Sequence, residues 1–153
     1  MNQSDLDSSW SSFCGQKLYE ELECLGACVP PKSIEFRIDV DQDAEFHATL
    51  DHVASAVSML LKSTFDTMPN GGSIMLKVQR KSAHTSEILV QDTRDLAARM
   101  AHEPAQVHKP PLEILRKILS QYGGEVSVCT NVGVGIAVSI LLPAENPNLK
   151  KLN

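Results

Sequence analysis

Hydrophobic residues recur along this chain with two different periods, one typical of helices and the other typical of strands. Three stretches carry apolar residues at helical spacing: 13–25, 49–65 and 112–122. The middle stretch has the clearest apolar stripe and begins at Thr49, a good N-cap residue. Gly26 follows the first stretch and Gly123-Gly124 follows the last, as glycines commonly do at helix ends. The pattern therefore predicts three helices.

Other stretches alternate between apolar and polar residues, which is the period of a half-buried strand. They are 33–40, 73–80, 87–91, 125–130 and 136–142. The second and third should pair as a hairpin, and so should the fourth and fifth, because a short turn separates the members of each pair. The last turn contains Gly133 and Gly135, which adopt positive φ at little steric cost. Since no helix follows it, this Gly-x-Gly predicts a hairpin turn and not a phosphate-binding loop.

The order of predicted elements is helix, strand, helix, hairpin, loop, helix and hairpin. Mixed strands with helices on one face of their sheet form a two-layer α/β sandwich, so the predicted fold class is α+β. The chain has 153 residues and 42% of them are hydrophobic, which suffices for one core. We expect a single domain over 13–145, a disordered N-terminus over 1–12 and a C-terminal tail over 146–153.

Composition and charge exclude several classes of partner. The formal net charge is -5 and no run of Lys and Arg stands out, which argues against nucleic acid and anionic membranes. No apolar run approaches the roughly 20 residues that span a bilayer, and the first residues are not a secretory signal. We therefore expect a cytoplasmic protein, without membrane insertion, whose partner is a protein or a small molecule.

The cysteines do not follow the spacing of a metal site. Cys24 and Cys28 are close in sequence, but the other thiols are Cys14 and the distant Cys129, and no histidine pair has ligand spacing. Reduced, partly buried thiols are the favoured interpretation. We expect no metal ligands.

Three histidines allow a functional interpretation and a plainer one. His52 lies beside Asp51 on the middle helix, as a phosphoacceptor histidine lies next to an acid, but an exposed helical histidine is favoured. His102 and His108 flank Glu103 in a polar segment, and because their spacing fits no common ligand pattern we predict a solvated loop.

The element order and several residues together resemble the GHKL superfamily, specifically the catalytic and ATP-binding domain of histidine kinases. The resemblance covers about 34–143 and is strongest in the C-terminal third. There, 112–126 resembles the family's helix, double glycine and strand, and 133–143 its closing hairpin with a terminal Leu-Pro. Upstream, 57–65 resembles the helix that carries the Asn box, and 88–92 the strand that leads into the first glycine box. The implied fold is the Bergerat-type ATPase sandwich.

The resemblance also implies which residues would hold Mg-ATP, and most of them differ here. Ser63 stands where the Asn box supplies an amide oxygen to Mg²⁺, and Met59 stands at the earlier Asn position. Asp92 matches the Asp that binds the adenine amino group, but Arg94 and Leu96 replace the two glycines that follow it. A loop-capping role for Asp92 is favoured over a vestigial adenine contact.

The phosphate side is changed as well. The second glycine box cradles phosphates with backbone N–H groups at a helix start, and its counterpart here is Lys109-Pro110-Pro111-Leu112. Two prolines remove two N–H donors and fill space. The segment from Asp92 to Lys109 is also shorter than the family's usual ATP lid. Arg94 and Lys109 either bind an anion or are ordinary surface charges, and the sequence leaves both open.

These changes imply a pseudo-histidine-kinase regulatory module of signal transduction, not an enzyme, that has lost Mg-ATP binding, has no catalytic or metal-binding residue and acts by protein–protein interaction. The implied partner is a response regulator or another signalling protein. The exposed apolar face expected for the first helix also allows a homodimer.

The alternative is the C-terminal domain of a histidine phosphotransferase that relays phosphate to a response regulator. It requires an accepting histidine on a helical hairpin upstream, and only a few tens of residues precede Ile34. A third hypothesis is that the reshaped pocket binds a nucleotide-sized ligand other than ATP.

Overall fold

A computed structural model describes residues 12–68, 72–92, 111–131 and 135–145, with backbone only at Thr130 and Asn131. The elements in chain order are β1 (Ser12–Cys14), α1 (Gly15–Cys24), β2 (Ile34–Val40), β3 (Glu45–His47), α2 (Leu50–Asp66), β4 (Gly72–Arg80), β5 (Thr85–Asp92), α3 (Leu112–Ser120), β6 (Glu125–Asn131) and β7 (Gly135–Pro143). The predicted tail over 146–153 lies outside the described residues, as does the predicted disordered N-terminus except for Ser12, which begins β1.

The main sheet has five strands in the order β2-β4-β5-β7-β6. Strand β2 runs parallel to β4, and the other neighbours are antiparallel, so the sheet is mixed. Both predicted strand pairings are confirmed as antiparallel: Val78 pairs with Ile88, and Asn131 pairs with Gly135. The mixed sheet with helices confirms the predicted α+β sandwich.

One face of this sheet forms the core. Along β4, β5 and β7, alternate residues are buried, and these are Ile74, Leu76, Val78, Ile88, Val90, Val138, Ile140 and Leu142. The helices cover them with their own apolar stripes, and full burial of such a side chain contributes roughly 1.5–3 kcal/mol. Because strand side chains alternate between faces, the polar residues between them lie on the other side of the sheet.

Helix α2 is the middle helix of the second layer and contacts both α1 and α3. Its buried stripe includes Val53, Val57, Leu60 and Leu61, as the helical spacing predicts. Thr49 is the N-cap residue as predicted, although its side chain makes no capping hydrogen bond. This helix positions two of the sequence-predicted site residues.

The first predicted helix begins later than expected. Residues 12–14 form β1, which pairs with β3, and Phe13 stacks on Phe46 with ring centroids 5.2 Å apart. Neither short strand was predicted, because three residues are too few to show alternation. The apolar face of α1 is also buried and not exposed as expected: Leu18 and Leu22 have no accessible surface and pack in the core. A homodimer through that face is therefore not supported, and homodimerisation itself stays a prediction.

The double glycine after α3 has two separate physical reasons. Helix α3 ends at Ser120, two residues before the predicted end, and a turn leads to Gly123, whose φ of 74° suits glycine. At Gly124 an added Cβ would lie 2.9 Å from Leu142 Cδ2 and 3.0 Å from the Leu119 carbonyl oxygen. The pair thus lets α3 turn tightly onto β6.

All four cysteines are free thiols. Cys14 and Cys28 are partly buried as predicted, but Cys24 and Cys129 are exposed, which corrects the prediction for those two. Burial, and then the nearby Glu23 charge, raise the pKa of Cys28. Across the described ranges no three His, Cys, Asp or Glu side chains are arranged to hold a metal ion, and no helix there is long and apolar enough to cross a membrane.

Candidate functional site

Asp92 lies at the end of β5 and is only 2% exposed. It alternates in phase with Ile88 and Val90, so its side chain is on the sheet face that the helices cover. Its Oδ1 accepts a hydrogen bond from the backbone N–H of Ile136 at 3.3 Å. This contact ties Asp92 to strand β7. The predicted loop-capping role stays a prediction, because the loop that follows β5 lies outside the described residues.

Gly135 makes this contact possible. Its φ is 136°, and an added Cβ would lie 1.9 Å from the Asp92 carbonyl oxygen and 3.1 Å from Oδ1. Only a residue without a side chain allows β7 to begin this close to the end of β5. The glycine predicted as part of a hairpin turn thus also shapes the surroundings of Asp92.

The predicted metal side of the site lies on α2. Ser63 is half-buried there, and Met59, one turn earlier, is half-buried and packs against the core. Mg²⁺ takes oxygen ligands in an octahedral shell, usually including carboxylates. A thioether and a single neutral hydroxyl do not fit that requirement.

The predicted phosphate side is the start of α3. Pro111 is its N-cap residue, makes no side-chain capping hydrogen bond and, as a proline, has no backbone N–H. The acidic residue of the first helical turn is Glu113. A carboxylate there interacts favourably with the positive end of the helix dipole and would repel a phosphate. Described residues at this helix start therefore do not fit a phosphate cradle.

Several other predicted positions lie outside the described residues. They are Arg94, Leu96, His102, His108, Lys109 and Pro110. The length and closure of the predicted lid therefore stay predictions.

His52 is exposed on α2, as expected of a helical histidine, but it has a specific partner. Its Nδ1 contacts the hydroxyl of Tyr122, in the turn that follows α3, and the two rings are 6.0 Å apart between centroids. The contact joins the first turn of α2 to the end of α3. Sequence reasoning missed it because the two residues are 70 positions apart.

Glu87 is a buried acid that no sequence pattern singles out. It is 5% exposed, on the sheet face opposite the helices, and its carboxylate accepts hydrogen bonds of 2.6 Å from both Gln79 Nε2 and Ser139 Oγ. Lys81 Nζ lies 3.7 Å away. Burial alone would raise the pKa of Glu87, but the two hydrogen bonds and the Lys81 charge outweigh it and lower this pKa. Its place in the alternating pattern predicted an ordinary exposed acid.

No protein family model matches the chain, and no curated protein matches it. Solved structures do: the catalytic domain of the histidine kinase ThkA aligns with a TM-score of 0.66 at 15% identity, over 88% of this chain and 95% of that one. The fold is that of a histidine kinase catalytic domain. This confirms the fold implied by the sequence resemblance.

Two further structures agree with this fold. The mycobacterial sensor histidine kinase MprB aligns at 16% identity and a TM-score of 0.62, over 85% of this chain and 95% of that one. The histidine kinase domain of the E. coli osmosensor EnvZ aligns at 13% identity and a TM-score of 0.62, over 90% of this chain and 91% of that one. Identities this low establish the fold alone.

Proposed function

We propose that this protein is a regulatory module of two-component signalling that has the histidine kinase catalytic fold, does not bind Mg-ATP and acts through protein–protein contacts. The observation that carries the proposal is the contrast within one fold: the described residues form the five-stranded sheet and its helices, while the metal-side residues are Met59 and Ser63. A response regulator or another signalling protein in the cytoplasm is the proposed partner.

Two other features support the loss of Mg-ATP binding. Asp92, the retained base-side residue, already accepts a hydrogen bond from the Ile136 backbone, so its burial does not require a nucleotide. At the phosphate side, Glu113 adds negative charge and Pro111 lacks an N–H donor. Phosphoryl transfer depends on positioning the phosphates and neutralising their charge, and these residues support neither.

The phosphotransferase alternative rests on fold analogy, because among the described residues none favours it. His52, the one described histidine considered as an acceptor, already contacts Tyr122. The alternative predicts that a phosphorylated response regulator would label a histidine of this chain.

Calorimetric titration with ATP and with ADP, each with Mg²⁺, tests the proposal. We expect no heat of binding at ligand concentrations up to about 1 mM, which corresponds to a binding free energy weaker than roughly -4 kcal/mol. Dissociation constants in the micromolar range would contradict the proposed loss. A catalytically competent histidine kinase domain titrated in parallel serves as the positive control.

A further inference from the structure

A groove of about 410 Å³ lies between the end of α1 and the middle of α2. It is lined by Leu25, Ser55, Ser58, Met59 and Lys62. Ser55 is followed by Ser58 and Met59 three and four residues later, and Lys62 follows these two by four and three residues, so all four lie on one side of α2. Leu25 is 41% exposed and is one of the few large apolar side chains left open on the described surface. The groove thus combines two apolar side chains with two hydroxyls and one ammonium.

Ser58 is the unusual member of this set. It is only 6% exposed, yet its hydroxyl makes no hydrogen bond with any described residue. Serine and threonine inside helices often bond back to the carbonyl four residues earlier, and on the same helix Thr64 does so to Leu60 at 2.8 Å. The Ser58 oxygen is open to the groove, because among the described residues the one fully enclosed side-chain polar atom without a partner is Ser86 Oγ. Because Ser58 lines the groove, a bound ligand is a natural partner for its hydroxyl.

Lys62 follows Ser58 by one helical turn and supplies the charge. No carboxylate among the described residues pairs with its ammonium, whereas Lys17 on α1 pairs with Glu20 at 3.6 Å. One ammonium balances one negative charge. Asp66 follows one turn later, and the whole chain has a net charge of -5, so a polyanion such as a nucleotide is disfavoured.

We propose that this groove binds a small organic monocarboxylate with an apolar body. The carboxylate accepts hydrogen bonds from Lys62 Nζ and Ser58 Oγ, and the hydrocarbon part lies against Leu25 and Met59. The volume is within the range of roughly 300–1,000 Å³ that small-molecule sites occupy. This goes beyond the proposed function, because it gives the domain a small-molecule ligand that does not depend on whether ATP binding is lost.

Hexanoate is the probe, and hexanamide, which has the same body without the charge, is its control. Titration of the isotope-labelled full chain, followed by backbone amide shifts, should show saturable changes at the end of α1 and along residues 55–62 with hexanoate. We expect hexanamide to bind at least about tenfold more weakly, since charge-assisted hydrogen bonds are the stronger ones. Equal binding of both probes, or no saturable shift with hexanoate, would overturn the proposal.

Variants locate the site. Lys62→Gln should weaken the binding of hexanoate at least about tenfold and leave the binding of hexanamide unchanged. Ser58→Ala should weaken the binding of hexanoate about threefold. Lys62→Arg keeps the charge and should stay within about threefold of the native chain. Lys117→Gln, at an exposed lysine on α3, is the matched control and should have no effect. If Lys117→Gln lost as much hexanoate affinity as Lys62→Gln, the attraction would be non-specific and the proposal would be wrong.

Discussion

The base side and the metal side of the candidate site differ in how the fold holds them. On the base side, Asp92 is buried and its carboxylate accepts a hydrogen bond from the backbone of β7. Gly135 has no side chain that would block this contact. On the metal side, Ser63 is half-buried and makes no hydrogen bond with a described residue, while Met59 packs against the core. The Asp92 carboxylate therefore helps to join two strands, whereas the Ser63 hydroxyl joins no two elements of the described structure.

This difference explains how an ATPase-type fold can keep one site residue and differ at the others. Removing Asp92 would leave a buried N–H of β7 without its acceptor, which costs stability. Changing Ser63, which is half-buried and makes no hydrogen bond with a described residue, should change little in the core. A retained Asp92 is therefore no sign of retained nucleotide binding.

The largest effect should come from Gly135→Ala. The new Cβ would lie 1.9 Å from the Asp92 carbonyl oxygen, and φ at this position is 136°, so β5 and β7 would have to separate. We expect a loss of about 3 kcal/mol or more in the free energy of unfolding, measured in urea. Gly26→Ala is the control, since φ there is 71° but nothing lies within 4 Å of the added Cβ, and it should cost about 1–2 kcal/mol. Equal losses would show that the close approach of β5 and β7 is unimportant.

The difference between the base side and the metal side is tested directly by comparing the free energies of unfolding of Asp92→Ala and Ser63→Ala. The first removes the acceptor of the Ile136 N–H and should cost about 1–3 kcal/mol, whereas the second should stay within about 0.5 kcal/mol. Asp92→Asn keeps an acceptor oxygen and should fall between them. Chemical denaturation at neutral pH measures all three. A Ser63→Ala loss as large as that of Asp92→Ala would remove the distinction between the two sides.

A smaller, pH-dependent effect is expected at Glu87, on the opposite face of the sheet. Its folded pKa is below the ordinary value of 4.5, so its contribution to stability is complete above that value and is lost as the pH falls through the folded pKa. Glu87→Gln should cost about 1–2 kcal/mol at pH 7, and this difference should shrink below about pH 4.5.

Unfolding curves of both chains at several pH values give this difference directly. Glu35→Gln is the control, because that acid is exposed and pairs with Arg37 on the surface, where ion pairs contribute little. A Glu87→Gln difference that is constant from pH 7 to pH 3 would contradict the lowered pKa.

The fold was predictable because its long elements repeat a simple pattern. Seven apolar or alternating runs mark α2, α3 and the five strands of the main sheet within one or two residues, and α1 within two residues at its start. Strands β1 and β3 were not predictable, since each has three residues and their stability comes from each other and from Phe13 stacked on Phe46.

The site was predictable only in part. Motif positions marked Asp92 and Ser63, but no local pattern could show that the partner of Asp92 is the Ile136 backbone, 44 residues away. The same holds for His52 with Tyr122 and for Glu87 with Ser139, because each pair comes together only when distant strands or helices pack. The groove with the unpartnered Ser58 is a further case, as it requires the end of α1 to lie beside α2.

By itself, the sequence determined the long helices and strands and their apolar faces, since these depend on local spacing. It also predicted which residues occupy the positions of an ATP site. Only the tertiary structure decided which of those side chains have partners. Hydrogen bonds such as that of Asp92, the burial of Glu87 and the open groove beside Lys62 arise from contacts between elements far apart in the chain, and local periodicity carries no information about them.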